Sequence, residues 1–215
     1  MICGIDEAGR GPVIGPMVIA GVKVQDDGKL IDMKVKDSKR LSPNRREELE
    51  KKIKDSCEYT LRVVSAEDID SLRESMTLNE LEASLFSNVI NEICDEDDTC
   101  YVDSASADEK KFKKMLEDKS KKRCTIVSEH EADDEYPVVS AASILAKVER
   151  DRKVEEISED LGEDIGSGYP SDAKTRDFLQ DWINENGSFP PHTRESWGTA
   201  RDLMNKFKTR SLDDF

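Results

Sequence analysis

The sequence predicts an α/β fold in which a mixed sheet of about five strands is flanked by helices, with a helical C-terminal subdomain. Three early strand patterns leave no room for long crossovers, and the later ones are separated by helical patterns, which together favour a mixed sheet. No convincing strand pattern follows residue 154 or so. Because 215 residues suit one domain with a small appended subdomain, we predict a main domain over residues 1–153 and a helical subdomain over residues 154–215.

Short apolar or alternating runs mark the predicted strands. The first two, residues 1–6 and 17–24, lie on either side of a turn rich in glycine and proline. Alternation of side-chain types over residues 58–64 predicts a third strand. Two further short runs, at residues 99–103 and 124–127, complete the sheet.

Helical patterns lie between these runs and after them. Ser42 and Pro43 supply an N-cap and a first helical residue for a helix that ends near residue 54. A single apolar stripe predicts a long helix with Leu78, Leu81, Leu85, Val89 and Ile93 on one face. Further helices are predicted over residues 140–152, which are rich in small side chains, and over residues 174–186 and 193–208.

The cysteine content and the hydropathy pattern indicate a cytoplasmic protein. The five cysteines are odd in number and never form a Cys-x-x-Cys pair, which argues against a disulfide framework or a structural zinc and for a reducing cytosol. The N-terminus enters a predicted strand without a signal sequence, and no apolar run reaches the roughly 18 residues of a membrane span. We therefore expect a soluble protein with no membrane association.

The net charge of −15 is unusual for a protein that binds nucleic acid, because phosphate affinity comes largely from Lys and Arg. Either the acidic surplus is a solubility feature that leaves a local basic face, or the ligand is not a nucleic acid. Basic residues do cluster, within residues 34–40, 45–54 and 110–123. Such clusters are more often solvated helix faces, so charge alone does not identify the ligand.

Two adjacent acids, Asp6 and Glu7, lie at the predicted end of the first strand, in an apolar context. Adjacent carboxylates repel each other, and a hard divalent cation is a common means of compensating them. Neighbouring side chains of a strand point to opposite faces, so the two acids can share a metal only if the strand ends there. The Gly9-Arg10-Gly11 turn supplies such an ending, and an arginine between glycines suits a phosphate-bearing ligand.

Further acids lie at other predicted strand and loop ends. Asp103 follows a short strand, and either Asp133 or Asp134 lies in the loop before the helix of small residues. Three or four carboxylates gathered from separate segments make a site for Mg²⁺ or Mn²⁺. The two histidines, His130 and His192, have no Cys or Glu at zinc spacing. The sequence therefore predicts metal-dependent chemistry on a phosphate-bearing ligand.

Five motifs follow one another along the chain: Asp6–Pro12 (DEAGRGP), Asp37–Leu41 (DSKRL), Tyr101–Asp103 (YVD), Tyr136–Lys147 (YPVVSAASILAK) and Gly166–Asp172 (GSGYPSD). Together they closely resemble the ribonuclease HII family, and the last is typical of its archaeal branch. The resemblance covers nearly the whole chain. It implies an RNase H-like fold with a C-terminal helical region, and an endonuclease that cleaves RNA within RNA–DNA hybrids.

The resemblance also implies an acidic active site. Its four members would be Asp6, Glu7, Asp103 and Asp133, which bind two divalent ions, Mg²⁺ or Mn²⁺. The family places its fourth acid four residues before the proline of the Tyr-Pro-Val-Val-Ser motif, which selects Asp133 over Asp134. Hydrolysis with two metal ions would leave a 5′-phosphate and a 3′-hydroxyl.

Substrate-binding residues follow from the same resemblance. The Gly9-Arg10-Gly11 turn matches the element that contacts the ribonucleotide at an RNA–DNA junction, and Tyr169 matches the tyrosine that packs on the neighbouring sugar. Lys39 and Lys147 resemble positions that contact the nucleic-acid backbone. Such a site needs only one ribonucleotide, so isolated ribonucleotides in duplex DNA are expected substrates.

Other functions remain open at this point. A resolvase-like enzyme and ribonuclease HIII are alternatives with the same fold, although we expect no extra domain before the first strand, which argues against ribonuclease HIII. A non-catalytic module that binds hybrids would tolerate loss of the four acids, and all four are present. We expect a monomer, with residues 211–215 as a candidate docking segment for a replication clamp.

Overall fold

The structure, a computed structural model, describes residues 1–36 and 41–213, with the side chains of residues 210–213 outside the description. The chain divides into two compact units. Unit 1 comprises Met1–Ala8, Val18–Val63 and Met76–Glu149, and unit 2 comprises Gly9–Met17, Val64–Ser75 and Arg150–Phe215. The domain bounds of 1–153 and 154–215 stay a prediction, because unit 2 also includes two segments from the first half of the chain.

Within the described residues, five strands form one mixed sheet. They are β1 (Ile2–Ala8), β2 (Met17–Val24), β3 (Glu58–Val64), β4 (Thr99–Asp103) and β5 (Thr125–Glu129). Their order across the sheet is β3-β2-β1-β4-β5. β1 is antiparallel to β2 and parallel to β4, and β4 is parallel to β5. The predicted mixed sheet of five strands is confirmed.

β1 is longer than the sequence predicts. Glu7 and Ala8 pair with Ile19 and Val18 of β2, so the strand continues past Asp6. The prediction that the first strand ends at residue 6 is therefore wrong. The reason is that the partner strand pairs with two residues whose own sequence, an acid and an alanine before a glycine, does not indicate a strand.

The helices of the described residues are α1 (Gly28–Met33), α2 (Pro43–Ser56), α3 (Ala66–Arg73), α4 (Leu78–Ile93), α5 (Glu109–Lys119), α6 (Ala132–Glu135), α7 (Pro137–Leu161), α8 (Ala173–Asn186) and α9 (Gly198–Asp213). The sequence predicts α2, α4, α7, α8 and α9. It misses α1, α3 and α6, which are too short for an apolar period to be read. It also misses α5, whose polar sequence buries only Phe112 and Leu116.

Two predicted helices have different bounds in the structure. α7 extends to Leu161 instead of residue 152. The sequence of its second half is mostly charged, so the apolar pattern does not reveal that the helix continues. α9 begins at Gly198 instead of residue 193. Thr193, predicted to begin this helix, instead lies in a β-bridge with Ile14.

Gly4 allows α7 to pack directly on β1 in the core of unit 1. A Cβ atom at this position would lie 2.3–2.5 Å from the backbone of Val138 and Val139 at the start of α7. The helix then continues with buried small and branched residues that share one core with β2. The absence of a side chain at Gly4 therefore sets the distance between the helix and the strand that carries Asp6.

Replacing Gly4 with alanine is expected to destabilise the protein by roughly 2 kcal/mol, because the added carbon overlaps backbone that has no side-chain freedom to yield. Urea unfolding followed by circular dichroism measures this change. Gly198→Ala is the matched control, since a Cβ there meets nothing within 4 Å. Equal stability of the two variants would contradict the close contact between β1 and α7.

Unit 2 has its own apolar core. Residues after Gly11 pack against α7, α8 and α9, with the buried members Val13, Ile14, Val154, Ile157, Ile165, Phe178, Leu179 and Ala200. Arg194 is also buried in this unit and is completely inaccessible to solvent. Among the described residues, every helix is too short or too polar to span a bilayer.

Candidate active site

Two carboxylates lie at one edge of the sheet in unit 1. In the parallel pair of β1 and β4, Ile5 lies opposite Val102, and this is the last pair of that register, so Asp6 and Asp103 follow it side by side on neighbouring strands. Asp6 is only 4% exposed, whereas Asp103 is half-buried. The Asp6 carboxylate accepts a hydrogen bond from the backbone N–H of Glu7 at 2.7 Å. The parallel register thus places two acids from distant parts of the sequence next to each other.

The short helix α6 adds a third acid. The backbone N–H of Ala132 donates a hydrogen bond of 2.8 Å to Oδ1 of Asp103, which ties the start of α6 to the end of β4. Asp133, the next residue, is 3% exposed, whereas Asp134 is exposed. Of the two candidates left open by spacing, Asp133 is therefore the one whose carboxylate is withdrawn from solvent.

Ser143 and Lys147, one turn apart on α7, are linked to Asp6 by hydrogen bonds. The Lys147 Nζ donates to the Ser143 hydroxyl at 2.6 Å. The Ser143 side chain is in turn hydrogen-bonded to the Asp6 carboxylate. A cation, a hydroxyl and a buried carboxylate thus form a chain that fixes the orientation of Asp6.

The pKa of Asp6 reflects this crowded site. Burial and then the negative charges of Asp103 and Asp133 raise it from 3.8 to about 7, although Ser143 and Lys147 act in the opposite direction. A buried carboxylate with two acidic neighbours favours any bound cation that offsets their repulsion. The structure therefore brings Asp6, Asp103 and Asp133 together as one acidic cluster.

The place of Glu7 in this site stays a prediction. Because β1 continues to Ala8, adjacent side chains alternate between faces, and Asp6 and Glu7 lack the strand end that was expected to bring them together. In the described parts of the chain, no three His, Cys, Asp or Glu side chains are already arranged to hold a metal ion. The donor set is nevertheless carboxylate oxygen throughout, which is the chemistry that Mg²⁺ and Mn²⁺ require.

The glycine-rich turn after β1 belongs to unit 2. Gly9 has a φ of +85°, and a Cβ atom there would lie 2.5 Å from the carbonyl oxygen of Pro16. Both the backbone conformation and the close contact require glycine at this position. Glycine at this position is therefore required by the backbone conformation of the turn and by its close packing against Pro16.

The buried side chain of Arg194 is hydrogen-bonded to the glycine-rich turn. Its guanidinium donates to two carbonyl oxygens of the turn, those of Gly9 (2.7 Å) and Arg10 (3.1 Å), and to that of Gly15 (3.0 Å) further along the same segment. Burial, with a smaller contribution from the charge of Arg150, lowers the pKa of Arg194 to about 9. The three acceptors compensate part of the cost of burying this cation.

Tyr169 lies against the same turn. A Cβ atom at Gly11 would be 3.5 Å from the tyrosine ring, so the glycine leaves the ring in contact with bare backbone. The guanidinium of Arg150 lies 4.9 Å from the ring centroid, a cation–π arrangement. The carbonyl of Gly168 accepts a hydrogen bond of 2.8 Å from the N–H of Val13. Unit 2 thus brings Tyr169 and the Gly9-Arg10-Gly11 turn together, while their roles in substrate binding stay predictions.

Sequence reasoning missed three side chains that position these sites, namely Ser143, Arg150 and Arg194. Ser143 lies within a predicted helix, and its spacing of four residues from Lys147 is a signal that could have revealed it. Arg194 and Arg150 have no comparable local signal, because their partners are distant in sequence. Lys39, which the resemblance places at the substrate backbone, lies outside the described residues.

Comparisons with known proteins identify the family of this chain. A family model for ribonuclease HII matches residues 3–200. The chain is 46% identical over 217 residues to a ribonuclease HII of Methanococcus maripaludis strain S2, which covers 99% of this chain and 89% of the relative. The crystal structure of ribonuclease H2 from Pyrococcus horikoshii OT3 has a TM-score of 0.88 and 42% identity, covering 96% of this chain and 98% of that one. A PCNA:RNase HII complex from Archaeoglobus fulgidus has a TM-score of 0.87 and 42% identity, with complete coverage of both chains.

The mixed sheet with its flanking helices, together with the two solved structures, identifies the RNase H-like fold, and the matched relatives identify the class of enzyme as ribonuclease H. Such enzymes cleave the RNA strand of RNA–DNA hybrids as endonucleases. The chain belongs to the ribonuclease HII family. The predicted family and enzyme class are confirmed, and the resolvase-like, ribonuclease HIII and non-catalytic alternatives are set aside.

Proposed function

We propose that this enzyme cuts RNA–DNA hybrids and also single ribonucleotides in duplex DNA, by a mechanism with two metal ions that leaves 5′-phosphate and 3′-hydroxyl ends. The observation that carries the proposal is the cluster of Asp6, Asp103 and Asp133, in which burial and neighbouring charge raise the pKa of Asp6. An all-oxygen acidic cluster fits hard divalent cations. Membership of the ribonuclease HII family supports the substrate class.

The four predicted acids would bind the two ions, with Asp6 shared between them. Asp6, Asp103 and Asp133 would hold one Mg²⁺ or Mn²⁺, and Asp6 with Glu7 would hold the second. When bound, such a pair supplies an activated water and stabilises the charge on the leaving oxygen. The protein contributes orientation, since Ser143 fixes the Asp6 carboxylate.

Recognition of the ribonucleotide is assigned to the turn in unit 2. Gly9 and Gly11 have no side chains, so their backbone amides can approach a 2′-hydroxyl closely, and this group distinguishes RNA from DNA. Tyr169 would pack on the neighbouring deoxyribose. Lys147 would contact the nucleic-acid backbone, and the same role remains a prediction for Lys39.

A duplex of DNA that contains one ribonucleotide tests this proposal. We expect cleavage with Mg²⁺ or Mn²⁺, complete loss of cleavage in EDTA, and product 3′-ends that a DNA polymerase can extend. The all-DNA duplex of the same sequence is the control and should remain intact. Cleavage that continues in EDTA and yields a cyclic phosphate would contradict the proposal, because the 2′-hydroxyl itself would then be the nucleophile.

A salt titration of the same reaction addresses the acidic character of the chain. With a net charge of −15, substrate binding depends on a few local cations, so the apparent affinity should fall steeply as salt rises. The expected result is an increase of KM with salt while kcat changes little. A KM that does not respond to salt would contradict an electrostatic contribution from the basic residues.

A clamp contact is a further part of the proposal. A relative from Archaeoglobus fulgidus was solved in complex with PCNA. We assign the corresponding role here to residues 211–215, of which 214 and 215, and the side chains of 211–213, lie outside the described residues. The monomeric state and the cytoplasmic location stay predictions.

A further inference from the structure

A carboxylate of α3, Asp70, is bonded to the turn that follows Arg194 in unit 2. Its Oδ2 accepts from the backbone N–H of Glu195 at 2.6 Å. Its Oδ1 accepts from the hydroxyl of Ser196 at 2.5 Å and from the N–H of the same residue at 3.3 Å. One carboxylate thus accepts three hydrogen bonds from the two residues that follow the buried arginine.

The helix that carries Asp70 is itself firmly placed. Its first turn is capped by Ser65, whose hydroxyl accepts from the N–H of Asp68 at 3.1 Å. Ile69, next to Asp70, is completely buried. Glu67, one turn earlier on the same helix, accepts from the N–H of His192 at 3.2 Å. α3 therefore holds the segment around Arg194 on both sides of that residue.

Asp70 also acts on Arg194 through its charge. Burial is the main influence on the pKa of this guanidinium and lowers it, and the positive charge of Arg150 acts in the same direction. The negative charge of Asp70 raises the pKa and so favours the charged form that donates to Gly9 and Arg10. The same carboxylate is thus both a mechanical anchor and a counter-charge.

We infer that Asp70 is a positioning residue which, through Arg194, sets the place of the Gly9-Arg10-Gly11 turn and thereby the recognition of the ribonucleotide. This inference rests on the proposed function of the turn. The hydrogen bonds of Asp70 end on Glu195 and Ser196, beside Arg194 in the sequence. Its effect is transmitted by one buried arginine whose hydrogen bonds end on the carbonyl groups of the turn.

Asp70→Asn is the direct test, because it removes the charge and one acceptor with almost no change of shape. Asp68→Asn is the matched control, an identical substitution two residues away on the exposed side of α3. We expect Asp70→Asn to lower kcat for a duplex with one ribonucleotide about tenfold while KM changes less than about threefold, because misplacement affects the reacting geometry more than binding. Asp68→Asn should match the wild type in both constants.

A double-mutant cycle with Arg194→Lys determines whether Asp70 acts through Arg194. Lysine keeps the positive charge but cannot reach three carbonyl groups with the fixed fork of a guanidinium. If the inference is right, Asp70→Asn has less than about a twofold further effect on kcat once Arg194 has been replaced. Multiplicative effects of the two substitutions would overturn it.

The remaining outcomes separate this inference from the proposed function. A wild-type enzyme that does not cleave the ribonucleotide duplex contradicts the proposed function itself. A wild-type enzyme that does cleave, with Asp70→Asn equal to Asp68→Asn, overturns only the role of Asp70. Thermal unfolding of each variant is measured in parallel. A loss of kcat that disappears at a lower temperature, where every variant is fully folded, would indicate a purely structural role and would also overturn the inference.

Discussion

Asp103→Asn is expected to lower the rate of hybrid cleavage about a thousandfold, which corresponds to about 4 kcal/mol of transition-state stabilisation. The substitution removes one negative charge from the cluster with Asp6 and Asp133, and a neutral amide oxygen is a weaker ligand for a divalent ion. The hydrogen bond from the N–H of Ala132 can persist, because asparagine retains an oxygen at the accepting position. The loss should therefore come from the chemistry of the site and not from a displaced α6.

The fold of Asp103→Asn should be as stable as the wild type or more so when no metal is added. The reason is that Asp103 is one of the charges that penalise ionisation of buried Asp6. Single-turnover cleavage with Mg²⁺ and thermal unfolding without metal measure the two effects. Asp118→Asn, an exposed site in unit 1, is the matched control and should change neither. Cleavage by Asp103→Asn at a rate near that of the wild type would refute the acidic cluster as the catalytic centre.

The acidic half of the site is visible in the sequence because each acid lies in an informative local context. Asp6 follows an apolar run, Asp103 ends a short strand, and the motif after Asp133 fixes its spacing. The prediction fails where a local pattern is overridden by a partner strand, as in the extension of β1 to Ala8. Local sequence therefore indicates candidate carboxylates, whereas the end of the strand that carries two of them depends on pairing with a distant segment.

Residues that position the site are hidden for a different reason. Gly9 and Arg194 are 185 residues apart in the sequence, yet their hydrogen bond is one of two by which this arginine holds the glycine-rich turn. Asp70 is likewise 125 residues from Glu195. Neither contact leaves a periodic or spaced pattern, because each depends on how separate segments of unit 2 fold together. A single sequence indicates which groups have reactive chemistry but not which distant groups hold them in place.

Gly9→Ala is expected to lower kcat for a duplex with one ribonucleotide at least about a hundredfold, because a displacement near 1 Å in a recognition element costs about that factor. The variant must place a Cβ atom 2.5 Å from the carbonyl oxygen of Pro16 while keeping a φ of +85°. The positive φ alone costs about 1–3 kcal/mol for a residue with a side chain. Since the Pro16 oxygen belongs to the backbone, relief of the overlap requires the turn itself to move.

Gly162→Ala separates these two costs. Gly162 also has a positive φ, +69°, but a Cβ atom there meets nothing within 4 Å. Both variants should lose stability in urea unfolding, whereas only Gly9→Ala should lose activity. The movement of the turn would also displace the carbonyl groups of Gly9 and Arg10 from the guanidinium of Arg194, and a buried cation without its acceptors is costly. Full activity of Gly9→Ala would mean that the ribonucleotide is recognised without the close approach of this backbone, and the role proposed for the turn would have to be abandoned.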